Sequence, residues 1–330
     1  MSGNHLDNFR AKVFADLGGA PDDIEPGRLH RFSTNGKRAD RSGWCRFFPD
    51  GWAGVYGDKR TGVSEHWRAT NREPMTLAER ADKMRVIAQA KAKRDAATRA
   101  AWVTAAARNA RTWSQCAPVR ADGNGRDPVT LYLKHRLVLP AGEPLAVPAA
   151  LRFHPGLPYF DGDGANVGTW PAMVAAMQNP AGELVALHRT WLTTDGRKAP
   201  VPGAVKKVSA ASGPLTGACI RLDWPDDEVP AMGVSEGIET ALAARCASGL
   251  PTVAAYSASA LSTWHWPPGL QRLVIFADAD RAGVEAADKL RQRARAAGLS
   301  VHVMTPSTPG FDWCDVWAQR GIAGAVEVQS

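Results

Sequence analysis

The chain has 330 residues, 45% of them hydrophobic, which is enough apolar material for two or three folded units and too much for a disordered chain. No run of about 18 apolar residues occurs, and no apolar stretch follows the first charges of MSGNHLDNFRAK, so neither a membrane partner nor a secretory leader is expected and the cytoplasm is the expected location. The formal charge of +7 is concentrated, because residues 76–120 carry ten Lys or Arg against Glu79, Asp82 and Asp95, a surplus of seven that leaves the rest of the chain balanced.

From residue 29 to 67 short aromatic runs alternate with turn signals, among them Asn35-Gly36 and Asp50-Gly51, which predicts a small β-rich module within residues 1–75. Glu73-Pro74 breaks the chain. Thr76, with Glu79 at the capping-box position, then opens a stretch free of Gly and Pro that predicts one long basic helix over 76–115. Residues 116–230 mix Pro/Gly turns with brief apolar strands such as MVAAMQ and LVALHRTWL, an α+β region whose fold pattern alone does not name. After Pro230 the texture becomes regular: strand AMGV, helix over 238–247, strand TVAAYS, short helix over 259–264, strand RLVIF, helix over 282–297, strand SVHVM, and a last helix from 312. Repeated βα units of this length predict an α/β domain with a parallel, doubly wound sheet over 231–330. The five cysteines (Cys45, Cys116, Cys219, Cys246, Cys314) stand singly without a CxxC pair, so neither a disulfide framework nor a zinc site is expected.

In such sheets functional groups collect where strands run out at their C-terminal ends. Acids stand there three times: Glu236 after AMGV, Asp278 and Asp280 after RLVIF, and Asp312 and Asp315 after SVHVM and its loop. Clustered carboxylates repel one another unless a cation neutralises them, and hard oxygen donors without His or Cys select Mg2+ or Mn2+. Gly237 and Gly283, beside these acids, allow close backbone approach to a metal or phosphate. The competing reading makes each acid an N-cap of the helix it precedes.

SEGIETAL followed by VIFADADRAG resembles the Toprim signature over residues 231–321. The resemblance implies a metal-binding Glu236 that also serves as general acid or base, with Asp278 and Asp280 as Mg2+ ligands and Asp312 and Asp315 as further metal candidates. Upstream, RFSTNGKRADRSGWCRFFPDGWAGVYGDKRTGVSEHWRA and LVALHRTWLTTDGRKA are similar to segments of Toprim-bearing phage and plasmid primases, which implies a bacterial setting. Two departures stand out: no cysteine zinc ribbon and no GxxxxGK[ST] phosphate loop occur. Zinc is therefore not expected, and any replicative helicase is expected as a separate partner.

The partners so implied are a single-stranded DNA template and nucleoside triphosphates. Lys37, Arg38, Lys59 and Arg60, in turns among aromatic residues, are candidates for DNA contact, although about half of the aromatics are expected to form the module's core. His188, Arg189, Lys198, Lys206 and Lys207 are candidates for triphosphate or template, weighed against a core histidine and surface lysines. The long helix reads equally as a DNA contact or a solvated connector. Three functions stay open: an Mg2+-dependent primase, a Toprim nuclease, and a non-catalytic DNA-binding replication accessory.

Overall fold

The computed structural model describes residues 3–37, 40–69, 76–119, 126–139, 145–224 and 230–323, and the chain forms two compact units, Met1–Lys91 and Ala92–Ser330. In the first unit, α1 (Gly3–Leu17) precedes an antiparallel sheet in the order β1 (His30–Phe32), β2 (Gly43–Phe47), β3 (Ala53–Asp58), β4 (Val63–Arg68). Along β2 burial alternates as the pleat requires, Cys45 and Phe47 inward and Arg46 outward. Asp50-Gly51 turns the chain back into β3, with Gly51 at φ +72° and the Trp52 N–H donating to the Asp50 carboxylate.

The sequence reading lacks α1, yet its Leu6, Phe9, Val13 and Leu17 form the helical stripe that closes this core. The Phe9 ring lies 5.2 Å from Phe47 and 5.7 Å from Trp67, centroid to centroid. Gly54 permits this approach, since a Cβ there would meet the Phe9 ring at 2.5 Å. Of the six aromatics from Phe32 to Tyr56, Phe32, Phe47 and Tyr56 are buried in the core, whereas Trp44, Phe48 and Trp52 are half-buried.

Helix α2 (Leu77–Ser114) is the single long basic helix that the pattern predicts. At about 1.5 Å per residue it is roughly 57 Å long, and each described side chain over 77–101 is exposed, so its cations there are solvated. Among the described residues no helix is long and apolar enough to cross a membrane.

The second unit is organised on one ten-stranded mixed sheet. Its elements are β5 (Ala117–Pro118), α3 (Pro128–Leu137), β6 (Leu151–Phe160), β7 (Asn166–Gln178), β8 (Leu184–Trp191), β9 (Lys206–Val208), β10 (Cys219–Ile220), β11 (Ala231–Ser235), α4 (Ile238–Ser248), β12 (Thr252–Ala254), α5 (Ala258–Thr263), β13 (Arg272–Phe276), α6 (Arg281–Ala296), β14 (Ser300–Met304) and α7 (Trp313–Ala323). The parallel half runs β14-β13-β11-β12, so β11 is flanked by β12 on one side and β13 on the other. Its central strands are covered by helices and read as unbroken apolar runs, with Met232, Val234, Leu273 and Ile275 fully buried.

The region left unnamed by pattern is the antiparallel half of the same sheet, β5 to β9. The two-residue β10 pairs with both β7 and β12 and so joins the halves edge to edge. One apolar cluster spans the join, with Leu133 and Leu137 of α3, Met173 and Met177 of β7, and Ile238 and Leu242 of α4.

Candidate active site

The pairing of β11 with β13 sets Ser235 opposite Phe276, so the two strands end side by side and release Glu236 and Asp278 onto the same rim. This is the topological switch point of the parallel half, because the chain leaves β11 towards opposite sides for β12 and β13. The third acidic segment is brought in by the loop after β14. There the N–H of Gly310 donates to Ala279 O (2.8 Å), and the N–H of Ala279 donates to Phe311 O (2.9 Å). The Trp313 indole N–H donates back to Met304 O at 3.0 Å.

The five acids play different parts. Asp280 is the N-cap of α6, its Oδ1 accepting from Gly283 N at 2.7 Å. Asp312 and Asp315 cap α7 reciprocally, Asp315 N to Asp312 Oδ1 (2.8 Å) and Asp312 N to Asp315 Oδ2 (3.3 Å), and Arg136 of α3 lies 3.7 and 3.8 Å from their carboxylates. The capping reading thus describes these three. Among the described residues Asp278 is neither a cap nor ion-paired: its Oδ1 is buried without a hydrogen-bond partner, and burial, then the charges of Glu236, Asp312, Asp280 and Asp315, push its carboxyl up to about 7. Burial and the Asp280 charge likewise raise Glu236.

A cavity of about 240 Å³ is lined by Glu236, Asp278 and Asp312 together with His188, Lys198 and Lys206, whereas Asp280 and Asp315 do not line it. Among the described residues no three His, Cys, Asp or Glu side chains converge tightly enough to hold an ion by protein ligands alone. The donor chemistry nevertheless fits a hard divalent cation, since Asp278 presents a buried, unpartnered carboxylate oxygen amid four like charges.

Of the basic candidates, His188 and Arg189 are neighbours on β8 and therefore face opposite sides of the sheet. His188 faces the acidic cavity, where burial depresses its ring to about 4 and its Nδ1 has no partner. Arg189 lines a groove on the other side. Lys198 and Lys206 line the cavity, but Lys207 donates to Phe160 O and lies over the Tyr159 ring at 3.9 Å. In the first unit Lys37 and Lys59 are exposed, Arg60 pairs with the buried Asp58 at 3.2 Å, and Arg38 lies outside the described residues.

Sequence reasoning passes over Glu239, one helical turn beyond Glu236. It is 3% exposed and accepts hydrogen bonds from Tyr132 Oη (2.6 Å) and Lys206 Nζ (2.8 Å). Burial alone would raise its carboxyl, but the Lys206 charge and these two hydrogen bonds outweigh that and hold it at about 2. Its SEGIET setting offers only a second acid in a first helical turn, while its partners lie 33 and 107 residues away.

The two glycines separate as well. Gly237, at φ −93°, has ordinary room for a Cβ, so nothing among the described residues requires glycine there. At Gly283 a Cβ would meet Asp278 O at 2.7 Å and Asp278 N at 3.2 Å. Gly283→Ala is therefore expected to displace the turn that carries Asp278 and to cost about 1–2 kcal/mol, read as a lowered midpoint in urea unfolding at unchanged slope.

Residues 231–323 match the family profile described as Toprim domain, and residues 103–222 match a domain of unknown function, DUF7146. The C-terminal part of the chain is a Toprim domain. No curated protein matches the chain. Among solved structures it is similar to the primase fragment of the bacteriophage T7 primase-helicase (17% identity, 46% of this chain and 61% of that one, TM-score 0.34). It is also similar to the RNA polymerase domain of Mycobacterium tuberculosis primase (19%, 69% and 81%, TM-score 0.37) and to the Aquifex aeolicus primase (13%, 96% and 82%, TM-score 0.37). The chain spans between 48% and 61% of the length of the first four solved chains that it matches.

Proposed function

We propose that this chain, with its Toprim domain over residues 231–323, is a Mg2+-dependent nucleotidyltransferase of primase type that makes short RNA primers on single-stranded DNA from nucleoside triphosphates in phage or plasmid replication. The observation that carries the reading is the cavity at the switch point, which Glu236 and the partly unpartnered carboxylate of Asp278 line together with Lys198, Lys206 and His188. Glu236, Asp278 and Asp280 would hold the ion, with Asp312 and Asp315 as further ligands. Once bound, Mg2+ or Mn2+ supplies charge neutralisation at the phosphoryl group and activation of the attacking hydroxyl. Lys198 and Lys206 would draw the triphosphate towards the acidic rim, since this chemistry is mostly positioning and charge compensation. His188, kept neutral by burial, would serve as a hydrogen-bond donor or acceptor to nucleotide rather than as a cation.

The reading is tested by incubating the purified protein with single-stranded DNA, labelled ribonucleotides and Mg2+, with Glu236→Gln alongside. New short RNA from the wild type and none from the variant is the expected result. Shortening of the DNA instead would transfer the same residues to a nuclease, and RNA synthesis surviving in the variant would sink the acidic site as the seat of chemistry.

A further inference from the structure

A second cavity of residues 92–330, about 870 Å³, is separate from the acids. It lies on the side of β8 that carries Arg189, opposite the side on which His188 meets the acidic cavity. One wall is the C-terminal part of α2, where Arg108 lies three and four residues before Arg111 and Thr112 and so shares a face with them, with Gln115 just beyond the helix. This part of the helix is pinned to the sheet side by Asn109 Nδ2, which donates to Ala210 O at 3.0 Å. The other wall is β6 with its irregularity between His154 and Leu157, a bulge that brings Pro155 and Gly156 to the groove. At Gly156 a Cβ would meet nothing within 4 Å, so the floor is open there.

The groove is cationic and incompletely satisfied. Among the described residues lining it there is no Asp or Glu, whereas Arg108, Arg111 and Arg189 all contribute. Arg189 donates one bond to Val208 O at 3.2 Å, but its Nε is buried without a partner. His154, 7% exposed, accepts at Nδ1 from the Gly156 N–H (3.1 Å), and burial disfavours its charged form. The neutral ring therefore carries its hydrogen on Nε2, which has no partner either. Buried donors of this kind are costly when left unmatched, and no carboxylate of the groove matches them. Phe160, 49% exposed, also lines it and presents a ring to solvent. Cations in a groove beside an exposed aromatic ring form the combination that tracks a phosphate backbone while a base stacks.

We propose that this groove between α2 and the β6/β8 face, within the region matching the domain of unknown function, is a second binding site that takes the sugar-phosphate backbone of a single-stranded nucleic acid. Arg108, Arg111 and Arg189 meet phosphates, His154 donates from the floor and Phe160 stacks on a base. The site lies apart from the acidic cavity and would hold strand that is not undergoing chemistry.

The test is equilibrium binding of a fluorescent dodecathymidylate to the full chain in EDTA and without nucleotides, so its result is independent of whether the acidic site is catalytic. Arg108→Glu/Arg111→Glu is compared with Arg94→Glu/Arg99→Glu, which places the same charge change on the same helix outside the groove. The groove variant is expected to weaken binding roughly tenfold or more and to flatten the dependence of log K on log salt by about 1.4, the share of two phosphate contacts on a single strand. Phe160→Ala, which changes no charge, is expected to weaken binding by several-fold at unchanged salt slope, as loss of one stacked base does. Equal losses in both charge variants would reduce the effect to bulk charge and overturn the site. So would unchanged oligonucleotide binding in the groove variant. Circular dichroism melting of each variant checks that the fold is retained, and Arg108→Gln/Arg111→Gln substitutes if the double glutamate variant unfolds.

Discussion

Asp278→Asn is expected to lower Mg2+-dependent turnover by roughly 10²–10³-fold or more, the scale of losing one aligned electrostatic group at a phosphoryl-transfer centre. The same substitution should make the metal-free protein more stable. Wild-type Asp278 is held near 7 by burial and by Glu236, Asp312, Asp280 and Asp315, against an ordinary 3.8, so its ionised form is a burden on the folded state. A carboxyl raised in this way contributes stability that is complete below pH 3.8 and is lost as pH climbs through about 7. In EDTA at pH 8 the Asn variant therefore avoids a penalty of about 1–3 kcal/mol, discounted for partial solvation, or a few degrees of Tm in a unit of this size. Mg2+ reverses the order, because an ion that binds only the folded wild type stabilises it by mass action. Melting curves at pH 5 and 8, with EDTA or Mg2+, supply the check. An Asn variant that melts lower than wild type in EDTA, or gains as much from Mg2+ as wild type does, would remove the cation from the argument.

How far the site is legible in the sequence depends on how far apart its parts lie along the chain. The parallel half reads well because its central strands β11, β12 and β13 are buried almost throughout and a helix follows each within a few residues, so apolar runs and helical spacing alternate without interference. Glu236, Asp278 and Asp280 are visible for the same reason, each lying within four residues of a strand end. The basic lining is much less so. His188 and Arg189 are adjacent in sequence, and only the pleat of β8 decides that one joins the acids and the other the opposite groove. The antiparallel half defeats pattern because β7 runs thirteen residues through Gly168 and Pro171, and because the strand that joins it to the parallel half, β10, has two residues. Helix α1 leaves an apolar stripe at Leu6, Phe9, Val13 and Leu17, but its polar residues are numerous enough to hide it beside the aromatic turns that follow.

Glu239 is the site residue with no readable signal, and it supports the second large prediction. Lys206→Met leaves its carboxylate at 3% exposure with Tyr132 as its one side-chain donor among the described residues. Breaking a buried pair from one side costs about 3–5 kcal/mol, reduced here to about 2–3 because the Lys206 side chain is 37% exposed and water can enter beside it. A fall in Tm of roughly 5–10 °C follows for a unit of this length. The loss should shrink as pH falls towards 2. With Lys206 present, Glu239 is held at about 2 and its stabilising charge persists down to that pH. Without it, burial is unopposed by the lysine charge, the carboxyl rises, and protonation relieves the variant. Adding Glu239→Gln to Lys206→Met removes the stranded charge while Tyr132 keeps an acceptor, so the double variant should recover most of the stability. The pair also separates two duties of the lysine, because Lys206 lines the acidic cavity as well as supporting Glu239. If its ammonium only holds α4 in place, turnover returns with stability in the double variant. If it also compensates triphosphate charge, as the proposed function requires, the double variant folds like wild type but stays slow, with the deficit appearing in KM for the nucleotide.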